Sequence, residues 1–270
     1  DDDGFSREQS VFYHTVTLEC FFYPLLFAEE LAGWPEFSRS YRNKLKQAFY
    51  RLHDFVRPFE EVPNIGDQDD SFVYRFDSNL RSEPREILDL AGCFFDEKKL
   101  VNHSSEDFVD FWNQTYPGSH GTLNKSVSTQ NVKIFEDSGY SFLFAKGKQN
   151  QWQAIVDHGN LGHLGLAAHG HADALSVQLF CEGSPFLVDP GTYAYFRSDE
   201  FRRYFRGTLA HNTLSLEGEN QASYEGGFLW LDHYRAERSG RINESDRFGI
   251  RARLDGYRHC DFDALHTREF

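Results

Sequence analysis

The 270-residue sequence predicts an α+β protein: helical hairpins of the kind that build (α/α) toroids, followed by an antiparallel, sandwich-like β-sheet region. Three observations lead there. Apolar residues recur at helical spacing in the first third, the period changes to two near Gln130, and no helical pattern separates the later strands. Without room for crossover helices, those strands pair antiparallel.

The first element runs from Glu8 to Glu30, with nearly continuous apolar density, no glycine, and Ser6 or Ser10 placed to cap its start. Pro24 removes a backbone donor inside it and is expected to kink or split the helix. Gly33 and Pro35 break the chain. From Ser38 to Val56 the residues Tyr41, Leu45, Phe49, Leu52 and Phe55 form an amphipathic stripe that Pro58 ends. A polar loop from Pro63 to Ser71 follows, then a shorter helix from about Pro84 to Ala91. Strands are expected at Tyr140–Phe144, Gln153–Val156, Leu175–Phe180, Pro185–Val188 and Thr213–Glu217, with Gly183-Ser184 turning a hairpin. The stretch Arg251–Phe270 still reads as strand. These readings divide the chain into a helical part at 1–103, a linker at 104–129 and a β-region at 130–270 that looks unfinished.

Hydrophobic residues at 40% and charged residues at 26% are ordinary for a soluble globular protein. A formal net charge of −14 argues against a nucleic-acid-binding surface, and any anionic substrate must be met by a local basic cluster. The longest apolar run, Cys20 to Ala28, is shorter than the roughly 20 residues of a membrane span. Asp1-Asp2-Asp3 is the reverse of a signal-peptide start and the opening reads as mid-protein sequence, which leaves room for a leader upstream. Four cysteines, far apart and without CxxC pairing, read as buried free thiols.

The densest chemical signal is His169-Gly170-His171-Ala172-Asp173, followed by Asp189 at a strand end and by His211 in Ala210-His211-Asn212. Extended, the segment would put His169 and His171 on one face. Two histidines and a carboxylate are a standard zinc ligand set; the alternative is a hydrogen-bonded polar core. A second signal is the basic and aromatic island carrying Arg197, Arg202, Arg203 and Arg206, whose guanidinium groups suit carboxylate or sulfate, unless they simply pair with Asp199 and Glu200. Tyr13-His14 at a helix start and Pro63–Asp67 read, by themselves, as a core aromatic with a capping neighbour and as a turn. The other histidines look scattered and mostly solvated.

Together, HGHADALS (His169–Ser176), LVDPGTY (Leu187–Tyr193), YFRGTLAHNTLSLEG (Tyr204–Gly218), REQSVFYH (Arg7–His14) and VPNIGDQDD (Val62–Asp70) resemble the heparinase II/III family of polysaccharide lyases, which includes alginate-cleaving relatives. The resemblance implies an (α/α) toroid followed by antiparallel sheets, a structural zinc on His171, Asp189 and His211, an active-site histidine at His169 and a catalytic acid or base at Tyr13. It places the family's Asn-His pair upstream of Asp1. The second tyrosine of some alginate-acting members has Arg197 as its nearest counterpart, with Tyr204 the tyrosine candidate.

The implied reaction is β-elimination on a uronic-acid polysaccharide, in a periplasmic or secreted setting. The C5 proton of a uronate is a very weak acid, so the adjoining carboxylate must be neutralised, one group must take the proton and another must protonate the leaving oxygen. A tyrosinate base would need nearby positive charge, from arginine or imidazolium, to lower its pKa from about 10. Tyr13 and His169 are expected to face each other across a cleft with the arginines at its rim. A non-catalytic glycan-binding scaffold and a zinc-dependent hydrolase stand as alternatives.

Overall fold

The computed structural model describes residues 1–30, 36–56, 58–69, 71–73, 84–101, 131–260, 262 and 264–270. The predicted 104–129 linker and the Gly33–Pro35 break lie outside them. Helices α1 (Val11–Glu30), α2 (Arg39–Val56) and α3 (Pro84–Phe95) come first. The His14 ring contacts Ala48 O while Tyr41 OH donates to Phe21 O, so α1 and α2 run antiparallel, a hairpin as expected. Ser10 caps α1, its Oγ accepting from Tyr13 N, and Ser38 caps α2 by accepting from Tyr41 N. Among the described residues the helices make a hairpin plus one helix, not a closed toroid.

Pro24 does not split α1. It lies on the exposed face, where the Cys20 carbonyl that loses its partner can be met by water, while Phe22, Leu25 and Leu26 on the opposite face are held in the core. By length and composition α1 could cross a membrane, which the sequence reading did not anticipate. Half of that stretch is buried inside the protein, where it packs as a core helix on α2 and α3.

The β-region is antiparallel, as expected. A five-stranded meander orders β1 (Val132–Phe135), β2 (Tyr140–Lys146), β3 (Gln151–Asp157), β4 (Val177–Cys181) and β5 (Ser184–Leu187) side by side. A two-stranded ribbon, β6 (Ser223–Gly226) with β7 (Leu229–Leu231), and a three-stranded sheet of β8 (Arg235–Asn243), β9 (Phe248–Asp255) and β10 (Leu265–Glu269) follow. Side-chain alternation gives the meander two buried faces. Phe142 and Ile155 join Phe49, Phe55 and Leu88 in one core with the helices, whereas Val156 meets Ile250 of β9. The layers are thus helices, meander and outer sheet.

Other expectations fail locally. Residues 213–217 form no strand, and the arginine island is a two-turn helix, α4 (Asp199–Arg206), capped by Ser198 accepting from Phe201 N. Asp199 and Glu200 in its first turn and Arg203 and Arg206 in its last match the helix dipole, a local signal masked by the aromatic content. The four cysteines form no disulfide, but none is fully buried and Cys20 is exposed. His14 and His158 are buried rather than solvated, because each ring finds a partner, Ala48 O and Ser141 Oγ respectively.

Candidate active site and metal centre

The loop before β4 carries His169 and His171 and is irregular rather than extended. Its backbone is held from outside. Buried Arg206 donates to the carbonyls of Ala167, Ala168 and Gly170, Trp230 Nε1 donates to Gly170 O, and Thr208 Oγ1 to Ala172 O. At Gly170 a Cβ would fall 1.6 Å from Leu161 O, so only glycine lets the chain pass there.

The 62–69 loop meets this loop from the helical side. Gly66, with φ +62°, brings its Cα so close that a Cβ would sit 2.2 Å from Gln9 O and 2.8 Å from His169 O. Asp67 N donates to His169 O, Ser10 Oγ donates to Asp67 O, and Val11 N donates to Ile65 O. The start of α1, and with it Tyr13, is therefore fixed directly against the histidine loop.

Tyr13 and His169 come together more closely than across a cleft. Their rings stack with centroids 3.6 Å apart and 19° between planes, which leaves no space for a sugar between them. Tyr13 OH donates to Asp69 Oδ2 at 2.9 Å and lies 3.1 Å from Tyr195 OH. With the Tyr13 O–H donating to Asp69, Tyr195 is the donor to Tyr13. Burial, outweighing the hydrogen bond from Tyr195 and reinforced by Asp69, pushes Tyr13 up to about 12, and burial raises Tyr195 further still. A tyrosinate at Tyr13 is thus disfavoured, first by burial and then by the facing Asp69 carboxylate. His169 Nδ1 faces Asp67 Oδ2 at 3.3 Å.

His171, Asp189 and His211 are all buried, and their ligand atoms lie within 4.8 Å of one another, so the group could hold a metal ion. His171 Nε2 donates to Asp67 Oδ1 at 2.9 Å, and its Nδ1 is buried without a hydrogen-bond partner. Burial pushes His171 down to about 4, so the ring is neutral and that nitrogen offers a lone pair, as a metal ligand must. Asp189 sits at the turn after β5, with Oδ1 accepting from Gly191 N and Oδ2 facing His211 Nδ1 at 2.5 Å. The carboxylate behind His171 is the outer partner that ligating histidines usually have, and the residues fit a metal.

The four arginines divide. Arg197 and Arg203 are exposed, Arg197 donating to Tyr193 OH and Arg203 lying over the Tyr224 ring. Arg202 and Arg206 are not at a rim. They are 1% and 0% exposed, because Arg202 is bidentate to Asp67 while both terminal nitrogens of Arg206 donate to backbone carbonyls. Tyr204 is 51% exposed and packs on Phe205, whereas the tyrosine that reaches Tyr13 is Tyr195. Sequence reasoning missed Tyr195, Asp67 and Asp69. Tyr195 lies six residues after Asp189, just past the end of LVDPGTY, and both aspartates belong to VPNIGDQDD.

A family model described as Heparinase II/III-like, C-terminal, matches residues 128–270. The chain belongs to this family. A heparin-sulfate lyase from Bacteroides thetaiotaomicron is 24% identical over 226 residues, covering 81% of this chain and 31% of the relative. A heparan sulfate lyase from Pedobacter heparinus matches the whole chain with a TM-score of 0.66 at 17% identity, over 36% of its own length. A heparinase III structure matches with a TM-score of 0.63 at 19% identity, over 38% of its length. The chain therefore spans about a third of the length of these relatives, and the solved structures establish a shared heparinase-type fold.

Proposed function

We propose that this chain carries much of the catalytic centre of a polysaccharide lyase that cleaves a uronic-acid glycan by β-elimination. The observation that carries the reading is the Tyr13–His169 stack, with Tyr195 and Asp69 on the Tyr13 hydroxyl. With Nδ1 of His169 turned to Asp67, Nε2 is left to accept the C5 proton of the uronate. Tyr13, kept protonated at neutral pH, gives its proton to the departing O4 of the neighbouring sugar. Tyr195 then donates to the oxygen that has lost its proton, stabilising the charge that develops there. Because the two rings are in contact, the sugar approaches from their open edge.

Names of relatives, heparin- and heparan-sulfate lyases, favour a sulfated glycosaminoglycan as substrate. Exposed Arg197 and Arg203 suit its anionic groups, in a chain otherwise of net charge −14. Zinc is the ion that the His171, Asp189 and His211 donors suit best, and it would serve as a structural clamp on the histidine loop. The same reading has α1–α3 as part of an (α/α) toroid and the protein acting in the periplasm or outside the cell. The test is to incubate the full-length protein with a panel of uronic-acid polymers. Rising ultraviolet absorbance from an unsaturated uronate supports the lyase. New reducing ends without that absorbance would sink it in favour of hydrolysis, and neither signal would favour a binding protein.

A further inference from the structure

The buried carboxylate of Asp67 touches both halves of the site. Its Oδ1 accepts from His171 Nε2 at 2.9 Å and from Arg202 Nη1 at 2.5 Å. Its Oδ2 accepts from Arg202 Nη2 at 2.5 Å and faces His169 Nδ1 at 3.3 Å. The backbone of the same residue holds His169 through its N–H and the cap of α1 through its carbonyl, which Ser10 Oγ meets at 2.6 Å. One fully buried residue of the helical region thus fixes the metal-ligand ring, the stacked histidine and the turn of helix that presents Tyr13. A carboxylate accepts at both oxygens and donates at neither, so it sets both imidazoles with N–H toward it and a lone pair on the far nitrogen. Arg202 fills the remaining lone pairs, and its guanidinium lies 4.6 Å from the centre of the Tyr195 ring.

We propose that Asp67 is the positioning residue that couples the metal centre to the catalytic pair: it orients His171 for the ion and His169 for proton abstraction at once, with Arg202 as its anchor. The catalytic half of this inference rests on the lyase reading above, whereas the metal half does not. Asp67→Asn keeps the size but puts a donor where one imidazole donates, so one ring must turn or lose its partner.

The experiment uses the full-length protein and zinc alone as the metal probe. Zinc affinity is measured by chelator competition, and kcat and KM by unsaturated-uronate absorbance. Asp67→Asn should bind zinc about 10–100-fold more weakly and lose kcat at least as strongly, with KM little changed. Wild-type zinc affinity or wild-type kcat in the folded variant would overturn the coupling. Since Asp67→Asn leaves Arg202 as an unpaired buried charge, the double variant Asp67→Asn/Arg202→Met supplies a folded background without it. That variant should remain weak in zinc and slow in turnover; recovery of both would reduce Asp67 to a mere partner of Arg202. If the wild-type protein shows no elimination on any polymer, the lyase reading fails while the zinc measurement still decides the metal half.

Discussion

At the scale of single residues, the decisive feature is the asymmetry of the two phenols. Burial raises both, but the hydrogen bond from Tyr195 offsets part of the rise at Tyr13 whereas Asp67 and Tyr13 add to it at Tyr195, so in the proposed mechanism Tyr13 is the one whose proton moves. Tyr13→Phe should reduce kcat by about 10²–10⁴ in the full-length enzyme with its melting temperature nearly unchanged. Tyr195→Phe removes one donor from a developing anion and is expected to cost on the order of 10² in kcat. Tyr204→Phe serves as the control, since that ring is exposed and does not reach Tyr13. Equal losses in Tyr195→Phe and Tyr204→Phe would refute the assignment. With Tyr13 raised to about 12, deprotonation of the acid should not limit kcat/KM near pH 10, where an ordinary tyrosine would begin to fail. A decline near pH 10 that Tyr195→Phe leaves in place would argue against Tyr13 as the acid.

At the scale of elements, the site depends on loops pressed together by glycines rather than on one rigid strand. Gly66 shows this best, because its left-handed backbone and the 2.2 Å approach to Gln9 O both exclude a side chain. Gly66→Ala should therefore cost at least about 1–2 kcal/mol from backbone conformation alone, with the clash added. It is also expected to weaken zinc binding, because the displaced loop carries Asp67. Calorimetry together with metal content would check both, and a variant of wild-type stability and full zinc content would contradict this packing. The N-cap of α4 gives a milder case. Ser198→Ala should lower stability by about 1 kcal/mol without altering zinc content, since α4 holds the site through Arg202 and Arg206 and not through its first turn.

For the molecule as a whole, buried titratable groups pull stability in opposite directions with pH. Burial pushes His14 and His158 down to about 4 from 6.5. Unfolding lets each take up a proton between those values, so each weakens the fold as pH drops from about 6.5 to about 4. Asp157 and Asp173 act the other way. Burial pushes both up, Asp173 to about 7, so their contribution is present at low pH and is lost as pH rises through the folded value. The net curve mixes both, and the clean measurement is a difference. Relative to wild type, His14→Gln should lose less stability on acidification from pH 7 to pH 5, by on the order of 1 kcal/mol per pH unit within the window. Parallel melting-temperature curves for the two proteins would show that His14 is not held neutral in the fold.

Local patterning was enough to determine the helical hairpin, the switch of period before β1, and the antiparallel meander with its turn at Gly183, whereas the candidate metal group was only one of two readings until the family resemblance was added. Those features depend on neighbours a few positions apart: spacing along a face, caps and turn chemistry. Burial of the stripe Leu45, Phe49, Leu52 and Phe55 follows from that spacing. Tertiary structure alone decided that α1 continues through Pro24, because a packed face on one side and water on the other outweigh one lost hydrogen bond. It decided too that Arg202 and Arg206 are interior, since only folding brings Asp67 and a ring of carbonyls to them. The choice of Tyr195 over Tyr204 has the same origin. Both are tyrosines near the right place in sequence, and a hydroxyl 3.1 Å from Tyr13 across 182 positions of chain is fixed by the meeting of two loops, which no local spacing encodes.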